Sequence, residues 1–293
     1  MWILYATIAS ITGAFYYLSI QNIKINTNVF MIYRGFIITT LLLPIILLYP
    51  IKFSLIFYLM SILQGIIVAY SDYLCFRLNK NYGSETISSI TPLSVVIVFI
   101  LWCFISPSTV LAYTTNPIQT VFIIFSLLGV VYALINYRKT PLTSKALTFL
   151  IPVLFLSSAI SILNKLIMSY SESSPLLCAC WRVLILSLII GTIHSGIYIK
   201  KKLPLKDLIN PQNLKQGKVF ILLLIALISK SLAMLYTQNP AYVSCIIYLT
   251  PIWTMIFGHI FPVFKFKRHK KQIQKKYEIL FIASVIILLL LTI

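Results

Sequence analysis

Four basic side chains, Arg34, Lys165, Arg182 and Lys230, fall inside long apolar stretches of a 293-residue chain, and one acid, Asp72, joins them there. A Lys or Arg at the centre of a membrane costs about 2.5 to 3.5 kcal/mol on insertion scales, so it normally faces a wet cavity or a partner. Depth separates the four. Arg34, Lys165 and Arg182 stand within about two turns of a stretch end, where a long side chain can also reach back to the headgroups. Lys230 lies deeper, which favours a pathway or an internal ion pair. Four cations against one acid give the interior a positive potential, which attracts carboxylate or phosphate and repels cations. Asp72 and Lys230 belong to corresponding stretches, so a salt bridge between them is expected, with a pair that merely fixes packing as the alternative.

Other residues within the stretches extend this set. Pro92 and Pro251 each remove a backbone hydrogen bond and clash with the carbonyl four residues earlier, so each should kink or open its helix. A carbonyl freed in this way is tolerated in a membrane only against protein or a wet cavity. Asn164, Tyr17, Tyr73 and Trp253 are candidate linings of a pathway, with core packing as the plainer alternative. His194 and His259 stand alone near stretch ends and read as packing or interfacial residues. The five cysteines, Cys75, Cys103, Cys178, Cys180 and Cys245, include no CxxC pair and no histidine at metal-ligand spacing, so they read as small packing residues. No metal and no cofactor is expected.

These residues must be positioned by membrane helices. Only 10% of the chain is charged and its mean hydropathy is +0.97, which excludes a water-soluble globular domain. Apolar stretches of about 20 residues read as spanning helices. The expectation is ten, at 2–20, 29–49, 54–76, 86–105, 118–137, 147–168, 175–199, 218–236, 241–264 and 277–293. Met1 leads straight into apolar residues with no basic segment before them, so the first is expected to be a retained helix rather than a signal peptide.

A net charge of +19 could suggest nucleic acid, but most of the basic residues fill short loops, which points to topology and to anionic lipid headgroups instead. Loops after odd-numbered stretches hold 19 Lys and Arg, whereas those after even-numbered stretches hold only Lys52. The positive-inside rule then places both termini outside the cytoplasm.

The stretches divide into two halves, 1–137 and 146–293. Arg34 early in the second stretch is answered by Arg182 early in the seventh, and Thr91-Pro92 in the fourth by Thr250-Pro251 in the ninth. A duplicated unit with an odd number of spans inserts its second copy upside down, the pattern of secondary transporters with a midplane site between the halves. The expected fold is therefore all-α and polytopic, with ten transmembrane helices as two inverted five-helix repeats around a central cavity.

In these features the chain resembles the drug/metabolite transporter superfamily, in particular its EamA-like family. The residues that carry the resemblance are Arg34 and Arg182, the two Thr-Pro steps, and a small-residue first helix in each half. Gly13 and Ala14 supply that feature in one half, and Ser157, Ser158, Ala159 and Ser161 followed by Asn164 and Lys165 in the other. The resemblance implies a basket of helices, alternating access and no covalent chemistry. Two departures stand beside it. Gly258 is followed by His259 where family members often carry Gly-Glu, and members commonly have cytoplasmic termini.

The function expected is a multi-pass cell-membrane (inner-membrane) transporter of a small solute, either an organic anion or an amino-acid-like or nucleotide-like metabolite. No P-loop is present to couple ATP directly. Two alternatives remain: a membrane enzyme acting on lipid-linked substrates, though five acids and three histidines are scattered along the chain, and a membrane sensor or assembly protein without cargo.

Overall fold

A computed structural model describes residues 1–20, 25–82, 93–137, 144–171, 174–204, 208, 216–260 and 275–292. Thr91 and Pro92, with half of the basic loop residues, lie outside that set. Among the described residues all regular structure is helical. The helices are α1 (Trp2–Ile20), α2 (Thr27–Leu48), α3 (Leu55–Tyr82), α4 (Leu93–Ile105), α5 (Pro107–Thr115), α6 (Pro117–Tyr137), α7 (Ser144–Met168), α8 (Pro175–Lys200), α9 (Val219–Tyr236), α10 (Pro240–Ile247), α11 (Thr250–Ile260) and α12 (Lys275–Thr292).

Local sequence sets many of their boundaries. Helices α5, α6, α8 and α10 all start on a Ser-Pro or Asn-Pro step, which fixes φ for the first turn and uses a residue with no N–H where none is needed. Ser174 caps α8 by accepting from the Leu177 N–H at 3.5 Å, and Asn239 caps α10 by accepting from the Ala241 N–H at 2.9 Å. Asn26 does the same for α2 at the Asn28 N–H, 3.0 Å away.

Six of these helices (α1, α2, the Leu55–Cys75 part of α3, the Ile151–Met168 part of α7, α8 and α9) are long and apolar enough to cross a membrane. A seventh span follows if α4 and α5, bent by 102° at Ser106, count as one; Pro117–Ala133 and Ile279–Thr292 are apolar but shorter. The chain is thus a multi-pass helical membrane protein, with six to seven full-length spans among the described residues where the sequence leads to an expectation of ten. Two differences have clear causes. The ninth stretch is broken at Tyr248 and Leu249, just before Pro251. After the fourth stretch, Pro107 and Pro117 force Ser106 and Asn116 out of helical conformation and cut off α5 between them.

The outer surface suits lipid. Phe104 is 82% exposed, Ile118 75% and Leu47 70%, an apolar coat that water would not tolerate. Inside, α2 and α8 cross most closely, sharing a core of Val29, Ile38, Leu42, Val183 and Ile190. Their contact is set by Gly35 and Gly191. A Cβ on Gly35 would come within 2.5 Å of the Gly191 backbone and 2.7 Å of the Ser187 carbonyl. Helix α1 packs along α9, α7 along α3, and α6 along α12.

Candidate functional site

Arg182 projects from α8 into the bundle and is only 2% exposed, so it does not reach back to the headgroups. Its guanidinium binds two other helices directly. Nε and Nη2 donate to Ser231 Oγ on α9 at 3.1 and 2.7 Å, and Nη1 donates to Gln64 Oε1 on α3 at 2.6 Å. Both acceptors are themselves fixed: Gln64 Nε2 donates to the Ile160 carbonyl of α7 at 2.9 Å, and Ser231 Oγ to the Leu227 carbonyl at 2.7 Å. A guanidinium has five N–H donors. The described bonds use three of them, all to neutral groups, so the charge itself meets no acid there.

Arg34 is equally enclosed, at 7% exposure, but differs in its partner. Its Nη1 donates to Asp72 Oδ2 on α3 in a salt bridge. Asp72 therefore pairs with Arg34, not with Lys230 as the repeat offset led us to expect. Arg34 Nε is buried without a hydrogen-bond partner among the described residues.

Lys165 is accounted for by the backbone. Its Nζ donates to the Leu235 and Thr237 carbonyls at 3.0 and 2.7 Å. These lie at the C-terminus of α9, where carbonyls lack helical partners and the helix dipole favours a cation. The neighbouring Asn164, 1% exposed, keeps a buried Oδ1 with no hydrogen-bond partner among the described residues. Lys230 is partly exposed and, among the described residues, makes neither a hydrogen bond nor a salt bridge. The charge of Arg182 repels it and that of Asp72 attracts it, so all three share one region.

The break before Pro251 is chemically closed. Pro251 lacks the N–H that would bond Ile247, four residues earlier, and Thr250 Oγ1 donates to that carbonyl instead at 2.6 Å, with Ser10 Oγ of α1 at 3.4 Å. Tyr248, in the break, meets Ser94 Oγ at 2.7 Å across the bundle on α4. One turn beyond, Trp253 stacks near Phe257 at 5.9 Å, its Nε1 buried and without a hydrogen-bond partner among the described residues.

Tyr17 is 53% exposed although it sits among charged and polar groups on other helices: it feels Asp72 and Arg34 and acts in turn on Tyr248. Tyr73, by contrast, lies under Lys201, whose Nζ is 5.9 Å from the ring centroid, at the end of α8. His194 is fully buried at the α2–α8 contact, with Nδ1 3.4 Å from Asn28 Oδ1. His259 and the Pro251 ring lie outside the described side chains.

A separate recess of 180 Å³ is lined by Tyr113, Asn116, Gln119, Gln238, Tyr242 and Thr292, with none of the expected site residues among its walls. Sequence reasoning missed Gln64, Ser231, Ser10 and Tyr248. Gln64 carried a signal, since an amide in an apolar span needs a partner. The serines carried none. No protein-family model matches the chain, and no curated protein matches it.

Proposed function

We propose that the chain is a secondary transporter of a small organic anion, or of an amino-acid-like or nucleotide-like metabolite, across a cell membrane. The observation that carries this reading is the Arg182–Lys230 region, two cations in the interior of a membrane protein with no acid of their own among the described residues. Enclosing the Arg182 charge among neutral partners alone costs roughly several kcal/mol, which an anionic cargo nearby would offset.

The pairing of helices supports a twofold relation between 1–137 and 146–293. Exchange of the halves turns α1 against α9 into α7 against α3, and α1 against α10 and α11 into α7 against α4. The same exchange maps the α2–α8 and α6–α12 contacts onto themselves. The proposed architecture is ten membrane segments in two inverted five-helix repeats of the EamA-like type, within the drug/metabolite transporter superfamily. Four of those segments, the fourth, fifth, ninth and tenth, would be bent, broken or short. Opening and closing would alternate about the α2–α8 contact, with solute as the partner and no covalent chemistry. Loop charge favours termini outside the cytoplasm.

Purified protein in liposomes, offered labelled organic anions, amino acids and nucleotide-like metabolites, tests the reading. Saturable flux of one class that needs no ATP is expected. Absence of flux across the whole panel would reject transport.

A further inference from the structure

The four cations inside the bundle have unequal commitments. Arg34 is neutralised by Asp72. Lys165 caps α9 through two carbonyls. Arg182 is enclosed and bound by Ser231 and Gln64. Lys230 alone among these four combines partial exposure with the absence of a described hydrogen bond or ion pair.

Lys230 does not play the role of Lys165 among the described residues: the Lys165 Nζ reaches the end of another helix, whereas that of Lys230 has no described carbonyl partner. Lys230 stands in the middle of α9, where its own helix's carbonyls are already taken by the helical N–H groups four residues on. The electrostatic surroundings are also unequal. Asp72 attracts Lys230, but its Oδ2 is held by Arg34, while Arg182 adds a second positive charge that its neutral partners leave uncompensated.

We infer that Lys230 is the direct cargo contact, its Nζ binding one carboxylate or phosphate group of the solute. Arg182 is a positioning residue that raises the local potential without touching the cargo, because its side chain is enclosed. Arg34 and Lys165 are structural. This assignment rests on the transport reading for its biological meaning, but the binding site it names is testable without flux.

The experiment uses the full chain in nanodiscs of neutral phosphatidylcholine, titrated calorimetrically with succinate and with glycerol 3-phosphate. At least one should bind saturably, and which one does separates carboxylate from phosphate recognition. Lys230→Gln should weaken that binding at least tenfold, whereas Lys230→Arg, which keeps the charge and guards against a folding artefact, should stay within about threefold. Failure of both anions to bind the wild-type protein would overturn the inference, as would unchanged affinity in Lys230→Gln. Lys230-dependent binding without flux in liposomes would keep the site and remove the transport reading. Flux of a solute unaffected by Lys230→Gln would do the reverse.

Discussion

At the scale of single residues, the same side-chain type does different work according to what its neighbours leave unpaired. Lys165 neutralises a helix end, so Lys165→Met should cost about 1 to 2 kcal/mol as two buried carbonyls lose their donor. Reversible unfolding in bicelles would measure this, with solute binding retained by the folded fraction. The Arg34–Asp72 bridge makes a sharper prediction. Asp72→Asn leaves a guanidinium charged in apolar surroundings and should cost about 3 kcal/mol, whereas the double variant Arg34→Gln, Asp72→Asn should be more stable than Asp72→Asn alone. Simple addition of the two single costs would break the assignment. The sequence made the intramembrane charges plain because nothing else in an apolar stretch explains them. It did not make their partners plain. The repeat offset pointed from Asp72 to Lys230, yet Arg34 and Asp72 stand at similar depth on helices joined by one short turn, about 14 residues before the end of α2 and 17 after the start of α3. Reading depth along that hairpin would have found the pair.

Secondary elements carry the next set of consequences. The crossing of α2 and α8 is asymmetric at its closest point. A methyl on Gly35 meets backbone at 2.5 Å, which cannot yield, whereas one on Gly191 meets Gly35 and the Phe36 ring at 3.4 Å. Gly35→Ala should therefore destabilise by about 2 to 3 kcal/mol and Gly191→Ala by less than about 1, measured by the same unfolding method. Comparable effects from the two would mean that the helices do not meet in this register. At the break before Pro251, Thr250→Val should cost about 1 to 2 kcal/mol and Ser10→Ala distinctly less, since the Thr250 bond to the Ile247 carbonyl is the shorter. Proline made this break legible in advance, because its chemistry is local. The serine that helps to close it comes from α1, 237 residues away, and no local pattern announces it. Helix α5 escaped notice for another reason: its Ser, Thr and Tyr residues look like a loop, and only the two prolines that bound it mark an element.

For the whole molecule, the decisive property is whether polar space inside the bundle opens to each side of the membrane in turn. The all-helical membrane class followed from hydropathy, whereas the break at Tyr248 and Leu249 did not, because composition alone reads the ninth stretch as continuous. Tyr17 is a suitable reporter of that proposed space, being exposed and within electrostatic reach of Asp72 and Arg34. The most direct measurement places a cysteine at Tyr17 in a background with Cys75 and Cys103 changed to serine, and follows its reaction with a membrane-impermeant thiol reagent added to one side of oriented vesicles. The account predicts labelling from both sides, slowed from each by the anion that binds at Lys230. A thiol that never reacts, or that reacts from one side alone under every condition, would contradict it.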